Sequence, residues 1–167
     1  MVGLMKLAEV LEPGIRLALT CWLVAVAVWD WRRGIIPNRL TLPVTLAVGG
    51  VRLYQGQPLV LAIWVVLYLI WRMNIMGGGD AKLLMGLFAL FPTYEFALLF
   101  SILVAAVLTP AIIVRHWGRR PSDLVATLLA RIGQGRLLPT QEELRTKGQQ
   151  YAWVFCLPGV VYLWWLW

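Results

Sequence analysis

The sequence predicts an all-α, polytopic membrane helix bundle of about six transmembrane segments with a cytosolic amphipathic loop, treated as a single domain over residues 1–167, on three observations. Of the 167 residues, 60% are hydrophobic, well above the roughly 45–50% apolar usage of soluble domains, and mean hydropathy is +0.75. Apolar runs recur at about 14–29, 40–54, 58–71, 81–91, 95–114 and 151–167. Basic residues gather at alternate ends of these runs, as positive charge does on the cytoplasmic side of membrane helices. With an outside N-terminus, twelve of the fifteen basic residues fall inside, leaving Lys6, Arg16 and Arg52 outside.

The first run follows Glu9 and Glu12 and closes on Asp30-Trp31-Arg32-Arg33. The second opens after Ile36-Pro37-Asn38, where the fixed φ of proline sets the start of a helix. Several runs are short against the roughly 20 residues that span a bilayer. Runs four and five are contiguous in hydropathy, but fused they would exceed the roughly 30 Å hydrocarbon core, so Pro92 and Thr93 mark a turn. The sixth run carries Trp153, Trp164, Trp165 and Trp167, residue types that anchor helices at membrane interfaces. Between runs five and six, 115–150 is the polar territory. Leu124, Val125, Leu128, Leu129 and Ile132 share one helical face after a Ser122 or Asp123 cap, and Thr140 with Glu143 forms a capping box. His116 reads as an interfacial polar residue.

Composition also excludes functions. The net charge of +7 follows from topology and anionic lipid, and the scattered basic residues form no nucleic-acid surface. Cys21 and Cys156 sit alone in apolar runs, which predicts two small buried hydrophobes. No metal-ligand spacing, H-E-x-x-H or G-x-S-x-G appears, so neither metal nor cofactor is expected.

The acids are few enough to eliminate in turn. Glu9 and Glu12 precede the first run, Glu95 lies at an outside turn, and Asp123, Glu142 and Glu143 belong to the polar loop. Asp30 and Asp80 remain, both at the inner lips of apolar segments, where ionisable groups are costly and mark function by default. Structural readings compete: Asp30 beside Arg32 and Arg33 marks a helix end, and Asp80 N-caps the helix after it. A transporter or proton relay using both acids is a rival function. It would need polar residues continuing across the membrane, whereas the run centres offer only isolated Thr20, Thr45, Ser101 and Thr109.

Paired carboxylates are the smallest apparatus that hydrolyses a peptide bond without metal or nucleophilic side chain. One takes a proton from water while the other, protonated, hydrogen-bonds the carbonyl oxygen. Gly77, Gly78 and Gly79 suit that chemistry, because residues without Cβ admit a substrate backbone close to the acid and permit positive φ.

Gly77-Gly78-Gly79-Asp80 followed by "AKLL", together with Asp30 in "DWRRGIIPNRLTLP", resembles the prepilin peptidases, G-x-G-D aspartic enzymes of the inner membrane. The resemblance covers roughly residues 14–114. It implies Asp30 and Asp80 as the catalytic pair, Gly77 and Gly79 as shapers of the loop that presents Asp80, and Pro37 as a structural residue. Longer members carry an N-terminal cytosolic portion with C-x-x-C pairs, associated with N-methylation; the absence of such a pair here predicts the short, peptidase-only form acting on Flp-type pilins or pseudopilins. Asn38 stands where many members have an acid, so its expected part is to cap the second helix. Lys82 is expected to snorkel to lipid or to contact substrate. The implied partners are a prepilin or pseudopilin substrate and the lipid bilayer of a bacterial or archaeal inner (plasma) membrane, with the active site facing the cytoplasm. The sequence leaves the oligomeric state open.

Overall fold

The computed structural model describes residues 2–116 and 152–167, without the side chains of the first eleven residues, Ile112, Arg115 and His116. The two elements expected between Ser122 and Glu143 lie outside the described residues, as do Lys147 and Tyr151. What is described is helical throughout: α1 (Val2–Arg33), α2 (Asn38–Tyr54), α3 (Leu59–Arg72), α4 (Gly78–Leu90), α5 (Tyr94–His116) and α6 (Ala152–Trp165).

Five of these helices match the expected apolar runs to within a few residues, whereas α1 begins twelve residues before its run and carries Pro13 inside it. The difference has a physical reason. Hydropathy tracks the part of a helix that suits lipid, whereas backbone hydrogen bonding continues through polar residues. Glu12 and Arg16 help, pairing one turn apart on the exposed surface of α1.

Among the described residues, two segments are long and apolar enough to cross a membrane, Glu12–Arg33 and Tyr94–Ala111. The helices α3 and α6 are as apolar but have 14 residues each. At 13 residues α4 is roughly 20 Å long. It is also the central helix, packed against α2, α3 and α6, with Ala81, Leu83, Leu84, Gly86, Leu87 and Ala89 all buried.

Side-chain bonds between helices fix their directions. At one end Lys82 in the first turns of α4 meets Asn38 at the start of α2, and Asp30 in the last turn of α1 meets Ala152 at the start of α6. At the other end Arg52 of α2 donates to the carbonyls of Ala89 (3.1 Å) and Leu90 (2.8 Å), a cation on the last carbonyls of α4. There too the indole of Trp164 in α6 donates to Thr20 of α1 at 3.0 Å. Thus α1 and α3 end where α2, α4 and α6 begin, as an up-and-down bundle requires.

Between α4 and α5 the chain turns at Pro92 and Thr93, as the length argument expected. Thr93 also caps α5, its hydroxyl accepting from the Phe96 N–H at 3.3 Å while hydrogen-bonded to the Tyr162 hydroxyl at 2.8 Å. Phe91, Phe96 and Tyr162 stack around that turn with centroids 5.0–5.3 Å apart and pin α4, α5 and α6 together. An apolar groove of about 570 Å³ between α3 and α5, lined by Ile63, Phe88 and Tyr94 among others, opens near this turn, remote from Asp30 and Asp80.

Candidate active site

The site is built where α1 ends and α4 begins. Leu23, Val26 and Asp30 are all buried, at spacings of three and four residues that put them on one face of α1. Asp30 therefore continues the core stripe and points inward, with only 4% of its surface exposed. Arg33, three residues on, stacks over the Trp29 ring at 4.6 Å. The helix ends just beyond, where Gly34 adopts φ 65° and its N–H bonds the Asp30 carbonyl at 2.7 Å, a left-handed stop that only glycine makes without strain. The Asp30 carboxyl receives the backbone N–H of Ala152 on its Oδ2, at 3.2 Å.

The chain then returns through Ile36 and Pro37 into α2. Pro37 is the N-cap residue, with φ −72° and ψ 140° and no side chain with which to cap. Asn38 was expected to be that cap and is instead the first helical residue, its Oδ1 accepting from the Lys82 ammonium at 2.6 Å. Proline supplies the extended backbone itself, which frees the Asn38 amide to reach across to α4.

The glycine segment corrects two further expectations. Gly77 caps α4 in extended backbone, φ −66° and ψ 148°, and none of Gly77, Gly78 and Gly79 has positive φ. Nor does Asp80 N-cap the helix. It lies three residues after the cap, and its carboxylate turns back to the backbone N–H of Gly77, as the acid of a capping box does. What the glycines supply is close approach. A Cβ on Gly77 would stand 3.0 Å from the Asp80 Oδ2, one on Gly78 3.1 Å from the Trp71 indole nitrogen, and one on Gly79 3.0 Å from the Ile36 Cβ. The space beside Gly78 and Gly79 is thus taken by the protein's own side chains rather than left for a substrate backbone.

These contacts bring the two sequence landmarks together. Ile36 packs on Gly79, Asn38 holds Lys82, and the carboxyls of Asp30 and Asp80 lie within electrostatic range of each other. The seam continues along α2 and α4, with the Thr45 hydroxyl donating to the Lys82 carbonyl at 3.1 Å beside Gly86. A buried Thr41 hydroxyl, between Asn38 and Thr45 on α2, makes no hydrogen bond among the described residues.

Two contributors lay outside the sequence expectations: the Ala152 amide, and the Cys156 thiol one turn further along α6, within electrostatic range of both carboxyls. A backbone amide leaves no mark in a sequence. Cys156 did read as a small buried residue, and it is one, at 3% exposure; Cys21, expected to be buried as well, is instead exposed on α1, because an apolar run does not tell the packed face of a helix from its outer face.

Because Lys82 and Asn38 tie the α4 motif to the start of α2, Asn38→Ala is expected to leave the ammonium without its acceptor and loosen that end of the bundle. A hydrogen bond to a charged group contributes about 1.5–3 kcal/mol, toward the lower figure where water reaches it, as here. Thermal unfolding in detergent measures the effect. Asn38→Asp, which keeps the acceptor, should restore the wild-type midpoint.

Comparison with known proteins gives a family and no fold template. No solved structure matches the chain. An alignment over 101 residues, covering 53% of this chain, is 35% identical to the prepilin peptidase EppA of Methanothermobacter thermautotrophicus and takes in 26% of that protein, about a quarter of its length. The sequence profile of the type IV leader peptidase family matches residues 17–114, a span that contains Asp30, Gly34, Pro37, Asn38, the three glycines, Asp80 and Lys82. On that match over more than half of its length, and with both landmarks joined at one end of the bundle, the chain belongs to the type IV leader peptidase family.

Proposed function

We propose that this protein is a membrane aspartic endopeptidase that removes the short cytosolic leader from prepilin-like precursors, of the Flp type or pseudopilins. Asp30 and Asp80 are its catalytic pair, water its nucleophile. The observation that carries this reading is the convergence of the two acids. Fifty positions apart in the chain, they come to one end of the bundle, Asp30 buried and Asp80 partly buried, within electrostatic range of each other.

The chemistry follows from that pairing. Two carboxyls that feel each other's charge ionise unequally, so one is a base while the other still carries a proton. The ionised carboxylate takes a proton from water as the oxygen bonds to the scissile carbonyl carbon. The protonated one donates to the carbonyl oxygen. Collapse of the tetrahedral species breaks the C–N bond, and the leaving nitrogen takes up a proton from the pair. Asp30 and Asp80 lie at the end of the bundle that the basic residues assign to the cytoplasm, which is where a basic leader retained in the cytosol would meet the helix that follows it. In this reading all six helices cross or line the membrane, the short ones shielded by their neighbours.

The reaction calls for no metal. Among the described residues no three His, Cys, Asp or Glu side chains cluster as ligands, so EDTA should leave leader removal unchanged; activity lost to the chelator and restored by zinc would put the chemistry elsewhere. The direct test of the function is co-expression with a pilin encoded beside the gene, reading the pilin mass. Loss of the leader, dependent on this chain, is the expected result, and an unprocessed pilin in membranes where the protein accumulates would refute it.

A further inference from the structure

The helix that follows the family-matched region supplies a part of the site. Family similarity ends at residue 114, yet the side-chain oxygen of Asp30 is bonded by the N–H of Ala152, the first residue of α6. Amides in the first turn of a helix have no acceptor within their own helix, so this N–H is free to serve a carboxylate, and the helix dipole reinforces the bond. Both groups are buried, Ala152 at 0% and Asp30 at 4% exposure, so bulk solvent competes little for this bond. The rest of α6 holds the amide still. Val154, Cys156, Gly159 and Leu163 are buried in the core, and a Cβ on Gly159 would stand 2.9 Å from Leu87 of α4 and 3.1 Å from Leu23 of α1. One helix thus touches both helices that carry the acids.

We infer that the Ala152 amide is a positioning group for the proposed peptidase reaction. It occupies Oδ2 of Asp30 and so fixes the plane of the carboxyl, leaving Oδ1 to meet water or Asp80. The inference rests on the proposed function for its kinetic consequence, but the hydrogen bond itself can be tested without activity.

Three variants separate donor from bulk. Ala152→Pro deletes the N–H at a helix-starting position where proline is well accepted. Ala152→Val adds comparable volume and keeps the N–H, and Ala152→Gly keeps it with less bulk. With a synthetic precursor peptide and purified full-length protein, Ala152→Pro should lower kcat roughly ten- to hundred-fold, the scale of one hydrogen bond to a charged group, at unchanged KM. Valine and glycine, which keep the N–H, should each lose at least several-fold less than proline, whatever the change in volume costs. Equal losses in proline and valine, or an active proline variant, would overturn the inference. If the proline variant does not accumulate, hydrogen exchange decides: the Ala152 amide should be protected in the wild type and should exchange at least ten-fold faster in Asp30→Ala. Equal rates refute the bond. An active Asp30→Asn variant would instead refute the proposed function, and so the two failures are distinguishable.

Discussion

Asp80→Asn and Asp30→Asn should each lower leader removal at least by the roughly 10²–10⁴-fold that a positioned acid or base contributes, while the protein still inserts and accumulates. The geometry makes this a clean comparison. Asparagine retains a carbonyl oxygen, so the contact of residue 80 with the Gly77 N–H and that of residue 30 with the Ala152 N–H both survive. What disappears is the capacity to take up and give back a proton. Exchanging a buried acid for a neutral amide also lowers its desolvation cost, so stability is not expected to fall. The double replacement should be hardly worse than either single one, because residues that act as a unit are strongly non-additive. Leader removal relative to membrane-inserted protein, compared across the three variants, checks this. Normal processing by either single variant removes that residue from the pair.

Gly79→Val is expected to have the next largest effect, through geometry rather than chemistry. A Cβ at this position already approaches the Ile36 Cβ to 3.0 Å, and valine adds two methyl groups to it. The collision must push the first turn of α4 away from the segment before α2, and Asp80, the next residue, moves with it. Misplacing a catalytic group by about 1 Å can cost 10²-fold in rate, so turnover should fall on that order. Ile36→Ala in the same chain removes the colliding side chain and should recover a substantial part of the loss. Measured kcat for the single and double variants tests the contact; a double variant no better than Gly79→Val would mean that Ile36 is not what the glycine accommodates.

Much of this molecule follows from its sequence. Apolar runs and their breaks placed the six helices of the described residues, because lipid or a packed neighbour demands an uninterrupted apolar surface and Pro92 with Thr93 interrupts one. Counting acids singled out Asp30 and Asp80 as candidates, because an ionisable side chain in apolar surroundings is costly. The motif residues themselves identify the family.

Tertiary structure decided how those residues are used. Asp30 could have marked a helix end beside Arg32 and Arg33; packing of α1 on α6 turns it inward, onto the stripe of Leu23 and Val26. Gly78 and Gly79 read as room for a substrate and prove to be room for Trp71 and Ile36, since which side chain fills the place of a missing Cβ depends on a helix crossing that no local pattern encodes. Asn38 read as a cap and is a cross-helix acceptor for Lys82, 44 residues away. The Ala152 amide is the extreme case. It is 122 residues from Asp30 and identical in kind to every other backbone N–H in the chain, so only its position in the folded bundle distinguishes it.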